Sequence, residues 1–226
     1  MIVEFAGPPG SGKSTLCRTV VAALTDAGVA VEDRSVPSGP AGRRRRLARK
    51  CVVVAGWTVR HPGYVLAVAR ACRRSGLGAR ERLARTVNLV VLRAEAHRPA
   101  RGVVLFDQGV TQEVTSVAMT ADHHILLAEL PAGSWPCADV VVRVRVPTDV
   151  AVDRLRRRCT GESRVEALPP AARRDAIDGV DRVLDDVLGS GSGDPRLQGA
   201  EVWEVDGTDP ALTSQLTARI RRSQAR

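Results

Sequence analysis

The chain has 226 residues, 44% of them hydrophobic and 26% charged, with a formal net charge of +9. That balance belongs to a globular protein with room for one α/β domain and a substantial core, and it excludes a disordered chain. The cysteines at 17, 51, 72, 137 and 159 are odd in number and form no C-x-x-C pair. A disulfide framework or zinc site is therefore not expected, and a reducing cytoplasm is the expected home. Met1 abuts the first apolar run, so no signal peptide is expected. The longest strongly apolar stretch, 51–59, is too short to cross a bilayer.

The first element is the most informative. Residues 2–6 form an apolar run suited to a buried parallel strand, and 16–27 read as a helix with Leu16, Val20, Ala23 and Leu24 on one stripe. Between them, Gly7, Gly12, Lys13 and Ser14 satisfy G-x-x-x-x-G-K-[ST], in the strand–loop–helix context that this phosphate-binding motif requires. Gly7, Gly10, Ser11 and Gly12 let backbone N–H groups converge on phosphate oxygens, and the helix N-terminus adds partial positive charge. Lys13 is expected to reach the β/γ-phosphates, Ser14 to ligate Mg²⁺, and Thr15 to complete the loop. A nucleoside triphosphate is the expected ligand.

A second strand is predicted at 29–32, after the Asp26-Ala27-Gly28 helix stop. Glu32, Asp33 and Arg34 follow at the carboxyl edge of the sheet, where a carboxylate can act as base and Arg34 can hold an anionic group. Residues 41–98 lack strand signals and read as an insertion of two or three helices, broken near His61-Pro62-Gly63 and Ser75-Gly76-Leu77-Gly78. A third strand at 102–106 ends on Asp107, placed to hold Mg²⁺ or to accept a proton from an attacking hydroxyl. Gln108, Gln112 and Glu113 come next and are candidates for an acceptor pocket.

The rest of the chain continues the alternation. A helix is predicted over 110–130, a strand over 139–146, helices over 148–159 and 170–188, a strand over 201–205 and a helix over 210–222. Ser190 to Gly193 reads as a surface loop. Strands alternating with helices imply a parallel sheet covered on both faces. Arg154, Arg157, Arg158 and Arg164 form a cluster that can close over a triphosphate. His61, His97, His123 and His124 have no carboxylate or serine partner at a recognisable spacing.

The positive charge invites a nucleic-acid reading, but aromatic residues are only 3%, too few for stacking platforms. Arginine replaces lysine almost everywhere, with one dense run at Arg43 to Arg46. A solvated basic face is the expected role, with contact to a polyanion or an acidic membrane surface as the alternative.

With these residues in place, the chain resembles the thymidylate kinase-like branch of the P-loop nucleoside and nucleotide kinases. The resemblance rests on Gly7 to Thr15, Asp107 after the third strand, Val146-Pro147 leading to Arg154 and Arg158, Ser163-Arg164-Val165-Glu166, and Asp206-Gly207-Thr208 after the last strand. It implies a five-stranded parallel sheet ordered 2-3-1-4-5, an ATP donor with Mg²⁺, and an Arg-rich lid at 154–166. Asp206 and Gly207 would lie against the adenine, Arg85 or Arg93 would contact the substrate phosphate, and a homodimer is common. Two features depart from the family. Gln108 stands where an arginine is usual, and Arg34-Ser35-Val36-Pro37-Ser38-Gly39 replaces Arg-Glu-Pro-Gly.

The reading that results is a single domain that transfers a phosphoryl group from ATP to a small hydroxyl or monophosphate acceptor. Lys13, Asp107, Arg154, Arg158, Arg164 and Asp33 are the expected catalytic groups, with Arg34, Arg85, Gln108 and Gln112 on the acceptor. An ATPase switch with a protein or nucleic-acid partner is the alternative. A lone Asp107, followed by Gln108 and not by a second acid, favours the kinase.

Overall fold

A computed structural model describes residues 1–35, 43–135, 137–158, 165–189 and 200–225, with only the backbone of 43–47. Five strands make one all-parallel sheet: β1 (Ile2–Ala6), β2 (Val31–Asp33), β3 (Val103–Phe106), β4 (Val140–Arg145) and β5 (Glu201–Asp206), ordered β2-β3-β1-β4-β5. The expected order is found. β1 is central, with Val3 in register with Leu105 on one side and Val140 on the other. Its near-continuous apolar sequence is what burial on both faces demands.

Helix α1 (Lys13–Asp26) and helix α9 (Leu212–Gln224) cover one face. Leu16, Val20, Leu24, Leu216 and Ile220 pack there against Val3, Phe5, Leu105, Val142 and Trp203. On the other face, α8 (Pro170–Leu188) sets Val180, Leu184 and Leu188 against Ala6 and Val141. Arg143 interrupts the valines of β4 and is fully buried, paired with Asp181 and Asp185 of α8. The guanidinium holds the Asp185 carboxyl down at about 2, and Arg145 adds to the effect. α8 is thereby keyed to the sheet at one register.

The insertion forms α2 (Arg43–Arg60), α3 (Pro62–Arg74) and α4 (Ala79–His97). Its breaks fall where proline and glycine place them, with Pro62 at the first turn of α3 and Gly76 at φ 91°. These helices build a second core with α5 (Val110–Ala118) and α6 (His123–Glu129), around Val68, Leu89, Val90, Val114 and Leu126.

The single helix expected over 110–130 is two. Asp122 caps α6, its carboxylate accepting from the N–H groups of His124 (2.9 Å) and Ile125 (3.1 Å). The Asp122 N–H turns away to the Ser75 carbonyl. The second strand also moves, to 31–33, because the Val29 N–H closes the end of α1 on the Leu24 carbonyl. The helix α7 (Thr148–Arg158) carries most of the expected arginine cluster, whereas Arg164 and the loop 190–193 lie outside the described residues.

Candidate active site

The chemistry gathers at the carboxyl edge of β1 and β3. The chain leaves β1 through Gly7 and turns with Gly10 at φ 84° and Gly12 at φ 89°, both left-handed. A side chain at Gly10 would also bring Cβ to 2.4 Å from the Ala151 carbonyl oxygen, so α7 packs directly on the loop backbone. Gly12 caps α1 without any side-chain hydrogen bond, which leaves the first N–H groups of the helix directed outward. This is a cradle for an anion.

Lys13 lies under the loop, its ammonium 3.4 Å from the Pro8 carbonyl. Desolvation, with the charge of Arg158 adding to it and that of Asp107 opposing it, brings the ammonium down to about 8. Asp107 ends β3 and is buried, with its N–H on the Ser35 hydroxyl at 3.2 Å. Burial raises its carboxyl above the ordinary range, against the Ser14 hydroxyl and the Lys13 ammonium, which favour the charged form. Lys13, Ser14 and Asp107 are thus brought together across two strands 94 residues apart in sequence between Lys13 and Asp107. Asp33 stands exposed at the end of β2, accepting from the Ser35 N–H at 2.8 Å, and its charge bears on Asp107.

A cleft of about 1180 Å³ opens in front of Lys13 and Ser14. Residues 10–15 of the loop, Gln108, Gln112, Arg85, Arg154, Arg158 and Gly207 are among its walls. Gln108 is exposed there. Gln112 reaches the loop itself, its side-chain oxygen accepting from the Gly7 N–H at 3.4 Å. Arg85 projects from α4 and is paired with Glu113 at 2.6 Å and Glu81 at 3.3 Å.

Three expectations are corrected. Arg34 is not a substrate contact: its side chain is 1% exposed and binds Glu32, with the carbonyls of Glu95, Arg98 and Pro99 closing around it. It fastens β2 to the end of α4. Arg154 is not part of a mobile lid but a strut, donating to the Ser11 carbonyl (3.0 Å) and the Gly207 carbonyl (3.1 Å). It fixes the phosphate loop to the segment after β5. Asp206 is exposed and turns its carboxylate back on the Thr208 N–H and hydroxyl, at 2.8 and 2.6 Å, so only Gly207 of that pair lines the cleft.

The histidines also differ from expectation. His123 and His124 both meet Asp186, at 2.8 and 3.2 Å, on the seam of α6 and α8.

Two residues that shape the site went unnoticed in the sequence. Glu4, in the middle of β1, is 2% exposed and accepts from the Gln112 N–H at 3.2 Å, under the N-terminus of α5. Desolvation raises it to about 7 despite those N–H groups. Gly109 gives Glu4 its space, because a Cβ there would lie 2.3 Å from the Glu4 carboxyl carbon. The sequence signal for Glu4 is one acid inside an otherwise apolar strand.

No known family profile matches the chain, and no curated protein does. Among solved structures it is similar to one titled as deoxyadenosine kinase from M. mycoides with bound dCTP, at 13% identity and a TM-score of 0.50, covering 99% of this chain and 100% of that one. This likeness, with the parallel sheet in the order β2-β3-β1-β4-β5, gives the chain a nucleoside kinase-like P-loop fold.

Proposed function

We propose that this protein is a kinase that moves the γ-phosphoryl group of ATP to the hydroxyl of a small organic acceptor, a nucleoside or a related natural product. The observation that carries the reading is the meeting of Lys13, Ser14 and Asp107 beside an open glycine cradle, with Lys13 and Ser14 lining a cleft large enough for two small ligands. Two small-molecule ligands need a cleft of roughly this size.

The donor set suits Mg²⁺, since the Ser14 hydroxyl and the Asp107 carboxylate are near enough to act on one another and both are hard oxygen ligands. When bound, the ion neutralises charge on the triphosphate. The chain's own groups do the rest. The loop N–H groups and Lys13 hold the β- and γ-phosphates, and Arg158 adds positive charge from the cleft wall. The acceptor oxygen attacks the γ-phosphorus, the bond to the β,γ-bridging oxygen breaks, and ADP leaves. The acceptor proton passes to a carboxylate at the carboxyl edge of the sheet, Asp107 at the end of β3 or Asp33 at the end of β2.

A neutral acceptor is favoured over a monophosphate. The guanidinium that α4 offers to the cleft, Arg85, is already met by two carboxylates, and Gln108 brings an amide to a position where an arginine would capture phosphate. The test is ADP release with Mg·ATP and a panel of nucleosides, sugars, natural-product alcohols and thymidylate, compared by kcat/KM. Turnover that depends on a neutral alcohol is expected. Thymidylate as the best acceptor refutes the preference, and turnover stimulated by no small molecule but by a macromolecule refutes the kinase.

A further inference from the structure

The insertion at 41–98 holds fifteen arginine and lysine residues against two acids, Glu81 and Glu95, a net charge of +13. The whole chain carries +9, so everything outside the insertion carries −4. An arginine-rich composition spread over the whole chain would not partition in this way. Such an asymmetry points to a segment that meets an anionic partner.

The same segment carries an apolar surface with nothing upon it. Helix α2 turns Val54 and Trp57 inward, against the core of the insertion. Its opposite side is also apolar. Ala48, Val52, Ala55 and Val59 are all exposed, Val52 by 73% and Val59 by 83%. At 100° per residue these four lie within an arc of about 60°. A helix apolar on both sides has a second apolar environment to satisfy. Across the bend, α3 continues outward with Pro62 and Leu66, the latter 66% exposed, and then with Arg70, Arg73 and Arg74. Arg60 stands beside the stripe at the end of α2. Among the described residues, Arg60, Arg70 and Arg73 have no acidic partner.

No single helix here is long and apolar enough to cross a membrane, and the pair Ala48–Arg60 and Pro62–Arg74, apolar enough together, is bent by 115°. Aromatic contacts span the bend. Trp57 lies against the His61 ring, tilted by 36° with centroids 4.2 Å apart, and meets Tyr64 and His97 edge-on at 6.2 and 5.6 Å. Apolar side chains on this elbow, flanked by arginines, suit an element that lies in the plane of a bilayer interface.

We infer that the α2–α3 elbow docks this protein on an anionic lipid surface, with Val52, Val59 and Leu66 entering the headgroup–acyl boundary and Arg60, Arg70 and Arg73 on acidic headgroups. The charge pattern selects this occupant. A second copy would set Arg60, Arg70 and Arg73 against the same arginines, and a nucleic acid offers phosphates but no apolar bed for the valines. The inference stands apart from the phosphoryl-transfer reading.

The full chain is sedimented with phosphatidylglycerol–phosphatidylcholine vesicles and with phosphatidylcholine vesicles alone. Binding to the first and not the second is expected, weakening as salt rises. Val52→Ser/Val59→Ser/Leu66→Ser, which leaves the charge unchanged, is expected to lower the partition by about tenfold or more. Arg60→Gln/Arg70→Gln/Arg73→Gln is expected to lower it about fivefold per arginine. Thermal melts check the fold. Should the triple serine variant not fold, Val59→Ser alone serves, since that side chain is the most exposed. The inference is overturned if anionic and neutral vesicles bind alike or not at all, or if the serine variant binds like the parent, the behaviour of a mere polycation. It is equally overturned if sedimentation velocity shows a dimer that the serine substitutions dissolve.

Discussion

Glu4 offers a sharp test of how the site is held. In the unfolded chain it titrates near 4.5, and in the folded protein burial raises it to about 7. Between those values the folded state binds the proton more tightly than the unfolded state does. Stability therefore falls as pH rises through this window, and the loss is complete above about 7. The gap corresponds to about 3 kcal/mol at roughly 1.4 kcal/mol per tenfold change in proton affinity. Glu4→Gln keeps the shape and an oxygen to accept the Gln112 N–H, but it carries no charge to bury. Urea unfolding of both proteins is measured at pH 5 and pH 8. Groups common to the two cancel, so the variant is expected to match the parent near pH 5 and exceed it by up to about 3 kcal/mol at pH 8. Parallel stability profiles would mean that the carboxylate is solvated or fully compensated by the α5 N-terminus, and the argument from burial would fail.

Lys13→Ala should remove charge stabilisation worth about 3 kcal/mol or more in the transition state while leaving the melting temperature near the parent's, as read by ADP release and thermal melts. Asp107→Asn should lower kcat on the order of a hundredfold with a modest change in ATP affinity, measured by steady-state kinetics and titration calorimetry. Gly109→Ala should cost about 1–3 kcal/mol in urea unfolding through its collision with Glu4, and Glu4→Ala should recover part of that loss in the double variant. Arg34→Ala should lower stability by about 3 kcal/mol yet leave the acceptor KM unchanged, since its partners are Glu32 and the chain before β3.

The phosphate loop was legible in the sequence because its glycines answer a purely local need, left-handed backbone at fixed spacing. Asp107 was legible because a parallel strand delivers its last residue to the sheet edge. What escaped depends on contacts distant in the chain. Arg34 offers the chemistry of an anion site, and only the Glu95 carbonyl, 61 residues away, converts it into a fastening. Arg154 has the spacing of a lid residue, yet its partners Ser11 and Gly207 lie 143 and 53 residues off. The break at 119–122 escaped for a different reason. Apolar residues continue through it, and the one local sign was Asp122 before two histidines, a helix cap in the middle of a helical pattern.

The two walls of the cleft also differ in how their charge is balanced, and that difference bears on the acceptor. The loop side of the cleft gathers Lys13, Arg18 and Arg154 around the glycine cradle, with Asp209 also in the lining and Asp107 acting on Lys13. On the other wall Arg85 answers to Glu113 and Glu81, and Asn88 donates to Glu113 at 2.6 Å. The remaining groups that α5 presents there, Gln112, Thr115 and Ser116, are neutral. A phosphate entering this wall would have to break a paired guanidinium away from two carboxylates and leave them without their partner, which costs more than a hydrogen bond returns. A neutral hydroxyl compound needs only donors and acceptors, and that wall is made of them.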